Sequence, residues 1–295
     1  MLLRILGIVF PIFAIIGAGW AYARYRRQRG GIDMTFANQL NMEIFVPALV
    51  FAALASKSLD LVAYDRLALG ALLVMLGSGA LAWGLARLLA EQPNTLVPPM
   101  MFVNSGNMGL PLMVLAFGEA ALPAAVVLFM VENTLHYTLG TWLLDHRARL
   151  TTLWRVPVTL AAIAGLAVNL SGLELWPPLF MAIKLTGDVA VPLLLFSLGV
   201  RLAVSNFSDL RVGAISAAFR PVTGLACAWL FIQFMPLTPQ DAAMLLVFGA
   251  LPPAVLNFVF AERYHQEPAK VASIVMMGNL AALIFIPLTL AMTLH

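Results

Sequence analysis

Apolar runs of about 20 residues, the length an α-helix needs to cross hydrocarbon, follow one another along almost the whole chain. They fall near residues 2–23, 36–56, 67–90, 95–117, 121–144, 153–170, 178–200, 212–235, 242–261 and 269–293, separated by short charged or Pro/Gly-containing connections. With connections this short, no separate soluble domain is expected, and the chain reads as one membrane unit.

With 62% hydrophobic residues, 11% charged residues and a mean hydropathy of +0.93, the chain lies far from the apolar and charged fractions of about 45–50% and about 25% usual in soluble domains. Lipid is therefore its solvent, and the expected fold class is an all-α polytopic membrane protein with roughly ten transmembrane helices. A net charge of +3, thinly scattered, makes no nucleic-acid footprint. The single cysteine, Cys227, permits neither an intramolecular disulfide nor a cysteine metal cluster, and no cofactor or metal is expected. The first run has Arg4 and a small-x-small triplet at 21–23, as signal peptides do. Its apolar stretch is too long for one and Arg24, Arg26, Arg27 and Arg29 follow at once, so it reads as a retained first helix.

Loop charges predict the orientation. Arg24, Arg26, Arg27, Arg29, Arg87, Arg147, Arg149, Arg155, Arg201, Arg211, Arg263 and Lys270 fall on one side, against Arg4, Lys57 and Arg66 on the other. The positive-inside bias then places both termini on the non-cytoplasmic side.

Sliding the sequence on itself gives matches at a shift of roughly 145 residues. Val46, Pro47, Leu49 and Phe51 align with Val191, Pro192, Leu194 and Phe196, Arg66 with Arg211, and Pro123 with Pro268; one residue further, Pro11 meets Pro157 and Trp83 meets Trp229. A repeat of five spans must return in the opposite orientation. Residues 1–145 and 146–295 are therefore expected to be inverted five-helix halves, a recurrent transporter architecture with the substrate site at midplane.

The fourth run carries NSGNMGLPL at 104–112, after Pro98 and Pro99, and the ninth carries Pro252, Pro253 and Asn257. Prolines and glycines at bilayer depth are costly in a continuous helix, so both helices are expected to break near the membrane centre. If the breaks cross, their half-helix N-termini present amides and positive dipole ends to an anion. Asn104, Ser105, Gly106, Asn107, Pro111, Pro252, Pro253 and Asn257 are the candidate substrate-binding residues. The same pattern also fits proline kinks with small residues packed between helices.

These stretches, with FVPALVF at 45–51, VPLLLFSLGVRL at 191–202 and PPAVLNFVFAERY at 252–264, resemble the auxin efflux carrier family of transporters, itself related in fold to bile acid sodium symporters. The resemblance implies ten spans in inverted halves and a crossover of broken spans four and nine. It further implies a scaffold of spans 1, 2, 6 and 7, a moving transport domain of spans 3, 4, 5, 8, 9 and 10, and a homodimer through the scaffold. Bacterial members, which work in the inner membrane, are usually assigned small organic anions such as malonate or malate. The long cytoplasmic loop of the longer plant carriers is missing, since only 145–155 join the halves, which argues against auxin as substrate.

Ionisable residues inside the membrane are functional candidates, because each costs about 2.5–3.5 kcal/mol at a helix centre. Glu43 and Asp188 each precede a repeat-related proline by four residues, as gating or proton-coupling acids or as packing residues, Asp188 beside Lys184. Glu132 and His136, one turn apart, fit a hydrogen-bonded cluster with a role in coupling. Arg220 can counter an anion or snorkel to the cytoplasmic face.

The function expected is secondary transport of a small organic anion by alternating access, coupled to protons or, in the alternative, to sodium. No P-loop and no hydrolase or protease motif is present, so an intramembrane enzyme is the weaker alternative, and a receptor has no loop to house a signalling domain.

Overall fold

The computed structural model describes residues 2–27, 31–55, 62–146, 156–204 and 209–294. Arg29, Lys57, Arg147, Arg149 and Arg155, which entered the charge count, lie outside the described residues. In chain order the helices are α1 (Leu2–Arg27), α2 (Thr35–Leu54), α3 (Asp65–Leu89), α4 (Pro93–Met101), α5 (Ser105–Phe117), α6 (Glu119–Leu144), α7 (Pro157–Ser171), α8 (Pro177–Val204), α9 (Leu210–Phe234), α10 (Pro239–Ala250), α11 (Leu256–Arg263) and α12 (Pro268–Thr293). Among the described residues no strand forms.

Seven helices, α1, α2, α3, α6, α8, α9 and α12, are long and apolar enough to cross a membrane, and α5 and α7 are shorter apolar helices. The outer surface matches that reading: Leu88, Phe234 and Leu170 are 85%, 81% and 75% exposed, a display that water would penalise and lipid does not. The protein is a multi-pass integral membrane protein.

The expected breaks form: the runs at 95–117 and 242–261 are each two helices with an extended link between them. Two features differ from the sequence expectation. Arg24, Arg26 and Arg27 extend α1 as its last turn instead of forming a loop, and Arg87, Arg201 and Arg263 also sit near helix C-termini, where a cation faces the negative end of the helix dipole. Lys270 lies in the first turn of α12 rather than in a loop. It is held by Glu91 (2.6 Å) and Glu267 (2.8 Å), and Thr95 donates to Glu267 (2.6 Å). The Lys270 ammonium and the Thr95 hydroxyl together hold the Glu267 carboxyl below its ordinary range.

Packing divides the helices into two groups. The second half of α8 runs along α1, while α2 lies between α7 and the first half of α8. In the other group, α9 packs on α12, α10 and α3, and α3 on α4 and α6. Close approach depends on glycine: a Cβ at Gly199 of α8 would strike the Ile16 carbonyl of α1, and one at Gly19 would strike that of Phe196. Because the obstacle is backbone, no rotamer change relieves it. Gly199→Leu is therefore expected to push α1 from α8 and to lower stability by about 1–3 kcal/mol, read as a lower melting temperature in detergent; Gly17→Ala on the same helix, where a Cβ meets nothing within 4 Å, is expected to leave it unchanged.

Candidate functional site

The first break follows from three local instructions. Pro98 and Pro99 remove two amide donors from α4, Phe102 turns extended (φ −98°, ψ 116°), and Pro111 cannot donate to the carbonyl of Asn107. The chain answers the last defect with a π turn over Ser105–Gly109 before regular helix resumes at Leu110, a local form often found at functional sites. In the second break, α10 starts firmly, with Thr238 accepting the Asp241 amide (3.1 Å) and donating to its carboxylate (2.7 Å). It ends at Pro252, which forces the preceding Leu251 extended (φ −59°, ψ 142°).

The two extended links lie against each other. Val103 and Pro253 form an isolated antiparallel bridge, in which the Asn104 amide donates to the Pro252 carbonyl (2.8 Å) and the Ala254 amide to the Phe102 carbonyl (2.9 Å). Side chains complete the satisfaction of this buried backbone, as a bilayer interior demands. Asn257 donates to the Phe102 carbonyl (3.0 Å) and to that of Ala254 (2.9 Å). Asn279 of α12 donates to the Pro253 carbonyl (3.1 Å) and accepts from the Asn104 side chain (2.9 Å).

Beside the breaks stands a buried polar chain. Ser105 donates to one oxygen of Glu132 (3.0 Å), and the other oxygen pairs with Nδ1 of His136 (2.9 Å). The His136 ring stacks on Phe102 at 4.2 Å and 5° and meets Phe260 of α11 edge-on at 5.1 Å. The imidazole thus touches the link of one break and the half-helix that follows the other.

These elements wall a cavity of about 470 Å³ between the two helix groups. Gly106 and Asn107 bring the N-terminus of α5 to it, and Val255 and Leu256 bring that of α11; the Ser105, Asn257 and Phe258 amides are already taken by the Val103, Ala254 and Val255 carbonyls. Four of the residues that line it carry a buried side-chain atom with no hydrogen-bond partner in the protein: Asn41 Oδ1, Asn133 Nδ2, His136 Nε2 and Ser197 Oγ. Among the described residues no three of His, Cys, Asp and Glu converge as metal ligands. The wall offers amides, hydroxyls, an imidazole, the carboxyls of Glu43 and Glu132 and, from α8, Arg201.

Asn104, Ser105, Gly106, Asn107, Pro252, Pro253 and Asn257 come together at the paired links, and Pro111 is buried at the start of regular helix in α5. Glu43 borders the cavity, exposed and accepting from Gln39 (3.0 Å). Asp188 is exposed and pairs with Lys184 (3.3 Å). Arg220 neither snorkels nor lines the cavity. It is wholly buried and donates to the Gly249 carbonyl in the last turn of α10 (3.1 Å). Asn41 and Ser197 were not anticipated, although Asn41 opens a π turn shortly before Pro47, a spacing that marks a disturbed helix. Asn279 of α12 bonds to residues of both links.

A family profile described as membrane transport protein matches residues 4–153 and 147–290. The chain belongs to this family, the auxin efflux carriers. It is 25% identical over 300 residues to a candidate malonate transporter of Rhizobium meliloti (strain 1021), covering 94% of this chain and 92% of the relative. It is 22% identical over 267 residues to an uncharacterised transporter of Methanocaldococcus jannaschii, covering 85% and 87%.

Proposed function

We propose that this carrier moves a small organic anion, a mono- or dicarboxylate such as malonate or malate, across a bacterial inner membrane by alternating access, holding it where the two half-helix N-termini meet. The observation that carries this reading is the convergence of two positive dipole ends on one cavity, four of whose lining residues carry a buried, unpartnered polar atom. Uncharged donors suit a solute that must also leave. The relative described as a candidate malonate transporter supports a carboxylate.

In this reading the chain crosses ten times as two inverted halves, with α1, α2, α7 and α8 as scaffold and the remaining helices as the moving body. Two contacts related by the repeat support it: a Cβ at Gly19 would meet the Phe196 carbonyl, and one at Gly165 the Phe51 carbonyl at 3.0 Å, Phe51 and Phe196 being aligned partners. The cavity wall includes Asn38, Pro157 and Arg201, at helix ends that the positive-inside bias assigns to the cytoplasm, so this is a cytoplasm-open state.

Proteoliposomes loaded with unlabelled malonate and given labelled malonate should show counterflow, and Asn107→Ala should reduce it at least tenfold with an unchanged melting temperature. Counterflow by none of a panel of mono- and dicarboxylates, or the same rate in Asn107→Ala, would overturn the assignment.

A further inference from the structure

We propose that the Glu132–His136 pair is the carrier's proton site, with the proton on Nε2 of His136, and that proton and anion are carried in the same direction. This rests on the anion-carrier reading above.

Glu132 and His136 are 4% and 1% exposed. The Ser105 hydroxyl donates to one carboxyl oxygen of Glu132, and Nδ1 of His136 lies 2.9 Å from the other. In the form we assign, the carboxylate takes the Nδ1 hydrogen, which leaves the lone pair of the neutral ring on Nε2. It has no partner in the protein although the residue lines the cavity. A proton that reaches the ring bonds to that lone pair, and the Nδ1 hydrogen stays on Glu132. The pair then changes from one net negative charge to none.

The sign of the coupling follows. An anion at the crossover is opposed by the unprotonated pair and accepted by the protonated one, so each ligand favours the other. The other charges that face the site do not reverse this. Arg220 on α9 lies within electrostatic reach of Glu132, Arg263 at the end of α11 acts on Tyr137 next to His136, Arg201 on α8 lines the cavity and feels Glu262, and Glu43 of α2 borders it. They set a background field and leave the change of one unit intact. The mechanical link is direct: Ser105 belongs to the first break, and the ring that charges is stacked on Phe102 and abuts Phe260, where an imidazolium gains attraction from aromatic faces.

Malonate binding to the wild-type protein in detergent, followed by calorimetry in buffers of different ionisation heat, reads the proton directly. About one proton taken up per malonate bound is expected on the alkaline side of the transition, with affinity falling about tenfold per pH unit there. His136→Gln should bind with a flat pH profile and no uptake, and Glu132→Gln should flatten it as well. Malonate binding with no proton uptake by the wild type, or an unaltered pH slope in His136→Gln, overturns the proton site and leaves the carrier reading standing. No binding of any carboxylate in the panel overturns both.

Discussion

Asn279→Leu is expected to abolish transport and to lower the melting temperature by on the order of 10 °C. Its amide is the joint between the two extended links, giving a hydrogen bond to the Pro253 carbonyl and taking one from Asn104. Leucine has nearly the same size and offers neither. Both abandoned groups are buried: Asn104 is 3% exposed, and the Pro253 region is sealed by Gly278, where a Cβ would lie 2.5 Å from the proline ring. Each orphaned group costs about 1–3 kcal/mol, and together they take a large share of the roughly 5–15 kcal/mol that keeps a protein folded. For a chain of this size each kcal/mol moves the melting temperature by about 2–4 °C. Because Asn107→Ala should lose transport with no loss of stability, the pair separates a residue that builds the site from one that serves the solute. An Asn279→Leu protein melting with the wild type would show that the links do not depend on this joint.

The breaks were legible because their cause is local. Pro98, Pro99, Pro111, Pro252 and Pro253 withdraw donors wherever they stand, and a reader of the chain can locate each vacancy without knowing its surroundings. What fills the vacancies was not legible. Asn104 finds Asn279 across 175 positions and Asn257 finds Phe102 across 155, and apolar sequence around each carries no record of the partner. Glu43 and Asp188 show the same limit from the other side. Both stand four residues before a proline, yet Glu43 borders the cavity and Asp188 faces outward beside Lys184, since which face of a helix meets a neighbour depends on packing in three dimensions. The Glu132–His136 pair was visible as an i, i+4 spacing, but its tie to Ser105 was not.

Arg220→Met is expected to weaken malonate binding about tenfold while leaving the melting temperature equal to or above that of the wild type. Arg220 is completely buried, and its Nε and Nη2 find no acceptor; only Nη1 is satisfied, by the Gly249 carbonyl. A buried charge so incompletely paired is costly, and an apolar replacement of similar volume is commonly neutral or stabilising. Fold stability therefore does not explain an arginine here. Its position does. Gly249 lies in the last turn of α10, whose negative dipole end points at the same crossover that receives an anion. A cation on that carbonyl cancels a field worth up to about 2 kcal/mol in a buried setting, and about 1.4 kcal/mol is tenfold in affinity. Arg220→Lys, which keeps the charge, should retain most of the binding, and higher salt should not mimic the loss, because Arg220 is wholly buried and buried charges are screened much less. If Arg220→Met instead unfolded the carrier, or bound malonate as tightly as the wild type, the guanidinium would be a packing element and the crossover would owe its preference for anions to α5 and α11 alone.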